Sequence, residues 1–153
     1  MSVEVRKPRF VLRSVHTIEF LQNQWPDKMD IESDLFELGY NTSFGCYYDE
    51  ERKICAIKTE LELIARHDDD YDSPQRIASL TTVTSFGLLE DEDTNQSLLI
   101  ALDFVANMIG ISYSTTRGIL LGRVPNQQLE LYPPPAINPR EIAHEMNLDW
   151  TTE

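Results

Sequence analysis

Basic residues are scarce: 13 Lys and Arg stand against 26 Asp and Glu in 153 residues, a formal net charge of −13. A chain so charged repels nucleic acid phosphates and anionic membrane faces, so neither is expected as a partner. Cysteine is scarcer still. Cys46 and Cys55 are the only two, nine positions apart, with no CxxC pair and no His at metal-ligand spacing. Both read as small apolar strand residues with no disulfide required. The three histidines, His16, His67 and His144, fall on a strand, a loop and a helix without HExxH or another metal-binding spacing, so each reads as a surface or half-buried side chain. No run approaches the ~20 apolar residues of a membrane span, and Met1 to Pro8 lacks the apolar core of a signal peptide, which makes a cytoplasmic protein the expectation. A Walker loop and GxGxxG are missing, and Ser112 and Ser114 sit in a helical context without the GxSxG elbow. No catalytic constellation, cofactor or metal is therefore expected, and an enzyme is not the first reading.

What is present is enough for one core. A chain of this length buries roughly 70% of the surface it exposes when unfolded. Its hydrophobic fraction of 41% and charged fraction of 25% are ordinary for a globular domain. One domain over residues 1–153 is expected. The acidic excess either keeps the chain soluble or attracts basic partners, and composition leaves both open.

Alternation of apolar and polar residues fills the first half. Strands are predicted over about 9–21, 35–48, 54–66 and 76–89. In the first, Phe10, Leu12, Ile18 and Phe20 share a face, with Arg13 and Glu19 on the other. In the second, Phe36, Leu38, Tyr40, Phe44, Cys46 and Tyr48 oppose Glu37, Gly39, Asn41, Ser43 and Gly45. The polar break Asp49 to Lys53 predicts a long antiparallel hairpin with the third strand. A helix competes over 58–66, where Glu, Leu and Ala favour it, but apolar residues at every second position do not make a helical stripe. Residues 21–33, with Asn23 and Trp25-Pro26-Asp27, read as a connecting loop. His67 to Pro74 reads as a solvated acidic connection: Asp68, Asp70 and Asp72 have the spacing of the first calcium ligands of an EF-hand, but Ser73 and Ser79 replace the required Gly and Glu.

After Glu90 to Asp93 the period changes to about 3.6 residues, predicting a helix over about 94–122 with Leu98, Leu102, Val105, Ala106, Ile109, Tyr113, Thr116 and Leu120 on one face. Gly110 weakens it near the middle, where a kink or break is a natural outcome, and Gly118, Gly122 and Pro125 mark its end. Ala106, Gly110, Ser114 and Gly118 recur every four positions, a small-residue stripe that suits either packing on the chain's own sheet or a subunit interface. Pro133 to Pro135 reads as extended. Asn138, Pro139 and Glu141 then signal a helix start over about 139–147, through a capping side chain, proline at the first position and an acid three residues on.

This order of elements, with the Thr116-Arg117-Gly118 step, Pro125, Leu129-x-Leu131, Pro133 and a closing helix, resembles the SecB family from about Phe10 to Met146. The resemblance implies an α+β fold, a four-stranded antiparallel sheet with the long helix and the short terminal helix on one face, assembled as a dimer of dimers. It also implies a homotetrameric chaperone that binds unfolded polypeptide clients without ATP and delivers them to the SecA motor. In that family extended client segments lie in apolar grooves by the loop after strand one and the terminal helix. Carried onto this sequence, those elements contain Leu21, Trp25, Met29 and Phe36, with Ile142, Met146 and Trp150 opposite. Met and Trp suit a groove that accepts many side chains, and the same residues suit a core.

Residues 151–153 lack the basic or cysteine-containing segment through which some SecB proteins contact SecA, and Glu19 is the nearest match to the family's acidic contact positions. A divergent SecB-like protein with particular clients, or one controlling a toxin and antitoxin pair, is therefore weighed beside a general export chaperone. The rival from another class is a small-molecule carrier or enzyme with an apolar pocket between sheet and helix. A structural dimer without general clients is the third.

Overall fold

A computed structural model of the chain describes residues 9–23, 36–49, 51–67, 70–89, 102–124 and 133–146. Four strands, β1 (Arg9–Gln22), β2 (Phe36–Asp49), β3 (Ile54–His67) and β4 (Asp70–Leu89), precede two helices, α1 (Leu102–Arg123) and α2 (Pro139–Glu145). The sheet is antiparallel in the order β1-β4-β3-β2, so β1 and β2 are its edges. The fold class is α+β, with the helices on one face.

Period-two patterning decides which face is covered. Cys55, Ile57, Thr59, Leu61, Leu63 and Ala65 of β3 are all buried, as are Ala78, Leu80, Thr82, Thr84 and Phe86 opposite them on β4. The alternation that argued against a helix over 58–66 is thus the inward row of a central strand. α1 lies over β3 and β4. Its buried side comprises Val105, Ala106, Ile109, Tyr113, Thr116 and Leu120, widened by Met108 and Ser112. The helix runs unbroken through Gly110 and ends at Arg123.

The core beneath α1 has two apolar parts. One contains Cys55, Ile57, Phe86, Val105, Met108 and Ile109, with Ala143 of α2. The other contains Leu61, Leu63, Ile77, Leu80, Tyr113 and Leu120. Between them runs a band of buried hydroxyls: Thr59, Thr82, Thr84, Ser112 and Thr116. Thr82 and Thr116 join sheet to helix with oxygens 2.7 Å apart. Thr116 also donates to the Ser112 carbonyl at 2.6 Å, and Ser112 to the Met108 carbonyl at 2.7 Å. The hydroxyls of Thr59 and Thr84 have no hydrogen-bond partner among the described residues.

Two local expectations are corrected. In β1 the register shifts by one residue at Arg13 and again at Ile18. Leu12, opposite Phe86, keeps the inner phase expected of it but is 46% exposed on this edge strand, whereas Ile18 is itself the extra residue of the second shift and is 60% exposed. The acidic stretch after β3 is also shorter as a connection than read from its polarity. Asp70 already pairs with His67, and residues 71–74 oppose Arg66 alone, which places Pro74 inside a wide irregularity of β4 rather than in a loop. At the other hairpin, Asp49 accepts the backbone N–H groups of Glu51 and Arg52, both at 3.1 Å, and Lys53 takes the left-handed conformation (φ 53°) that closes the turn.

Candidate functional site

α2 is held where it packs by local chemistry. The Asn138 side chain accepts the N–H groups of Arg140 and Glu141 at 3.2 and 3.4 Å, and Pro139 opens the first turn without needing a partner for its nitrogen. Residues 133–138 before it have no regular secondary structure and are anchored by the Tyr113 hydroxyl donating to the Pro135 carbonyl at 2.5 Å. Ala143 is buried in the first apolar part of the core. Around it Ile137, Ile142 and Met146 are half-buried, together with Phe44, Cys46 and Tyr48 on β2 and Phe10 on β1. This rim of large, partly covered apolar groups is the surface the structure offers next to the last helix.

The sequence-derived client residues divide. Ile142 and Met146 are brought together on that rim. Leu21 is 45% exposed near the far end of β1, opposite Ser79 in the row that also holds Glu62 and Asn41, on the sheet's uncovered face. Within one subunit it is separated from α2 both by the sheet and by most of a strand's length. Phe36 opens β2 opposite His67. Trp25, Met29 and Trp150 lie outside the described residues.

The small-residue stripe divides as well. Ala106 is 8% exposed and packs into the subunit's own core. At Gly110 a side-chain carbon would stand 3.4 Å from Cγ of Pro139, an ordinary contact distance, so this position faces α2. Ser114 is exposed, and Gly118 has open space around it. Only the second half of the stripe is available to another subunit.

The uncovered face is polar and graded. Its rows across the sheet read Asn41-Glu62-Ser79-Leu21, Ser43-Glu60-Thr81-Glu19, Gly45-Lys58-Val83-His16, Tyr47-Ala56-Ser85-Ser14 and Asp49-Ile54-Gly87-Val11. Glu62 pairs with Arg76 at 2.8 Å and Glu60 with Lys58 at 3.3 Å. Ser43 donates to Glu60 at 3.1 Å, and Asn41 to Glu62 at 3.5 Å. A solvent-open cleft of about 240 Å³ lies here, lined among others by Glu19, Ser43, Glu60, Glu62 and Arg76. At the other end of the face the Arg13 side chain lies across Gly87, where a side-chain carbon would come within 2.6 Å of its Nε and displace it.

Sequence reasoning did not bring together two further groupings, Arg117 with Tyr40 and Tyr113, and Cys46 with Cys55. Arg117 acts electrostatically on both Tyr40 and Tyr113, and its Nε is buried without a hydrogen bond among the described residues. Burial pushes the Tyr40 hydroxyl up to about 12, with Tyr113 adding and Arg117 opposing. Burial likewise raises Tyr113, against Arg117. A polar residue inside an apolar helical stripe is the signal that would have found Arg117. Across the β2–β3 hairpin, the Sγ atoms of Cys46 and Cys55 stand 3.9 Å apart as free thiols. That contact, followed by burial, raises the Cys46 thiol well above its ordinary range. Among the described residues no three His, Cys, Asp or Glu side chains converge as a metal site. His16 and His144 are exposed on separate elements, and no helix among the described residues is long and apolar enough to cross a membrane.

No family model and no curated protein matches this chain. Among solved structures it is similar to a Mycobacterium tuberculosis SecB-like chaperone, Rv1957, in complex with a ChAD peptide from the antitoxin HigA1. The likeness has a TM-score of 0.50 at 12% identity and covers 84% of this chain and 87% of that one. A Streptococcus agalactiae protein of unknown function also matches, covering 86% of this chain and 98% of that chain at 11% identity, with a TM-score of 0.28. The fold is therefore SecB-like: four antiparallel strands in a single sheet, backed by two helices.

Proposed function

We propose that this chain is an ATP-independent molecular chaperone, a holdase that binds unfolded or preprotein chains, and that it has no enzymatic activity. The observation that carries the reading is the set of large apolar side chains left uncovered on a SecB-like fold. Val11, Leu12, Ile18 and Tyr47 are exposed on the two edge strands, and Ile142 and Met146 rim the terminal helix. Such groups are the chemistry by which extended, unfolded segments are held, and Met supplies an adaptable contact. A shape of this kind works as an assembly, and the homotetramer, a dimer of dimers, is part of the proposal. The free half of the small-residue stripe, Ser114 and Gly118, supplies a helix surface for it, and Leu21, Trp25, Met29, Phe36 and Trp150 join Ile142 and Met146 as client contacts.

The setting is cytoplasmic, and delivery to SecA for export is one use of the held client. A partner-specific use is favoured by one observation: the mycobacterial neighbour was captured with an antitoxin-derived peptide. The small-molecule alternative calls for an apolar pocket, and the open cleft lined by described residues is polar instead. The test is light scattering of a refolding client at stoichiometric chain without nucleotide, with native mass measurement alongside. Suppressed aggregation and a species of four 17.6 kDa subunits are expected. Unchanged scattering by a strict monomer overturns the reading.

A further inference from the structure

Nothing in the holdase reading uses the two cysteines. They stand diagonally across the β2–β3 hairpin, since Cys55 opposes Tyr48 and Cys46 opposes Ile57. Both belong to the apolar part of the core that α2 closes, and their Sγ atoms are 3.9 Å apart. Diagonal neighbours in a sheet stand ~7–8 Å apart, beyond the ~6.8 Å that a disulfide spans between Cα atoms. The thiol spacing fits a different link. Two sulfurs bound to one metal ion at ~2.3 Å lie ~3.8 Å apart in a tetrahedral arrangement and ~4.0 Å apart in a trigonal one. The pair is therefore already spaced as two ligands of a single ion, with no backbone movement needed.

Donor type narrows the ion. The same part of the core holds Met108, fully buried, and Met146, half-buried on the rim with Cys46, so thioethers accompany the thiols. Closed zinc sites take four ligands, and among the described residues no third His, Cys, Asp or Glu joins the pair. Calcium and magnesium require oxygen ligands, which this apolar cluster does not offer. Thiolate with thioether is the donor set that selects monovalent copper, a soft ion satisfied by fewer ligands. We infer that Cys46 and Cys55 form a binding site for Cu(I), with the Met146 thioether as third donor. Both thiols release their protons as the ion enters, and copper keeps its oxidation state throughout. Cys46 is half-buried on an edge strand, which gives the ion its way in, while Cys55 is sealed beneath it. The site stands independently of client capture.

The reduced chain, titrated with Cu(I) without oxygen against a chromogenic Cu(I) chelator, tests the assignment. One ion per chain is expected, with sulfur alone in the X-ray absorption first shell. Cys46→Ser and Cys55→Ala should each weaken capture about 100-fold or more, and Met146→Leu about 10-fold, while Met108→Leu stays near the parent. Thermal unfolding without metal reports which variants are folded, and Cys46→Ser, at a half-buried position, carries the test if Cys55→Ala is not. Added Cu(I) should raise the Tm of the parent and leave that of Cys46→Ser in place. Undiminished binding by Cys46→Ser, nitrogen or oxygen in the first shell, one copper per two chains, or no uptake in competition overturns the site. A loss in Met108→Leu in place of Met146→Leu overturns the third donor and leaves the thiol pair standing.

Discussion

The two faces of the sheet obey different physics. On the covered face, side chains at every second position of β3 and β4 are sealed under α1, so volume and hydrogen-bond satisfaction decide what is tolerated. On the open face the same strands present Ser, Thr, Glu and Lys in rows whose ion pairs are bathed by solvent, where charge sets which partner approaches and contributes little to stability. The difference teaches that one pair of strands serves two ends: its inward residues hold the fold, and its outward residues are free to be chosen for recognition.

Substitutions can break or sharpen that contrast. The largest effect is expected from Phe86→Ala, which empties a fully buried site packed edge-on against Phe10 at a ring distance of 5.4 Å. A loss of about 3–5 kcal/mol in urea unfolding is expected. Hydroxyl chemistry gives the next pair. Thr82→Val removes the partner of Thr116 and should cost about 1–2 kcal/mol. Thr59→Val deletes a buried hydroxyl without a partner among the described residues and should be neutral or stabilising by about 1 kcal/mol. If both Val variants destabilise equally, the band of hydroxyls is satisfied in some other way. Titration gives a smaller effect. The Tyr40 hydroxyl is raised from 10.0 to about 12 in the fold, so its stabilising share is complete below pH 10 and is lost as pH climbs through about 12. Stability followed by thermal unfolding should fall across that window, and Tyr40→Phe should flatten the fall. On the open face, Glu60→Gln should change stability by less than about 0.5 kcal/mol. A shift comparable to Phe86→Ala would show that the two faces are not separable.

Much of the sheet was legible because alternation is a one-dimensional pattern that survives in β2 and β3, whose mutual register has no shift. β1 was misread at Ile18 for the opposite reason: a one-residue irregularity leaves no mark in composition, yet it takes that side chain out of the inner row and, with the shift at Arg13, reverses the phase of the residues between them. The beginning of β4 was misread because acid-rich residues depress strand propensity, while pairing with β3 supplies hydrogen bonds that propensity cannot anticipate. The candidate site was legible in part. Ile142 and Met146 could be placed near each other from their spacing on a short capped helix. That Leu21 faces away from them follows from strand phase and sheet order, which no local window contains. Arg117 and its two phenols were hidden because they come together from β2 and α1, residues distant in sequence.

One detail of α1 reaches beyond its packing. Ser112, Thr115 and Thr116 each turn a hydroxyl back onto the carbonyl four residues earlier, at 2.7, 2.8 and 2.6 Å. Hydroxyls bound in this way compete with the backbone's own bonds and let a helix bend at low cost. These three bonds cluster where α1 crosses from one apolar part of the core to the other, so the carbonyls of the helix there are shared between its own turns and its hydroxyls.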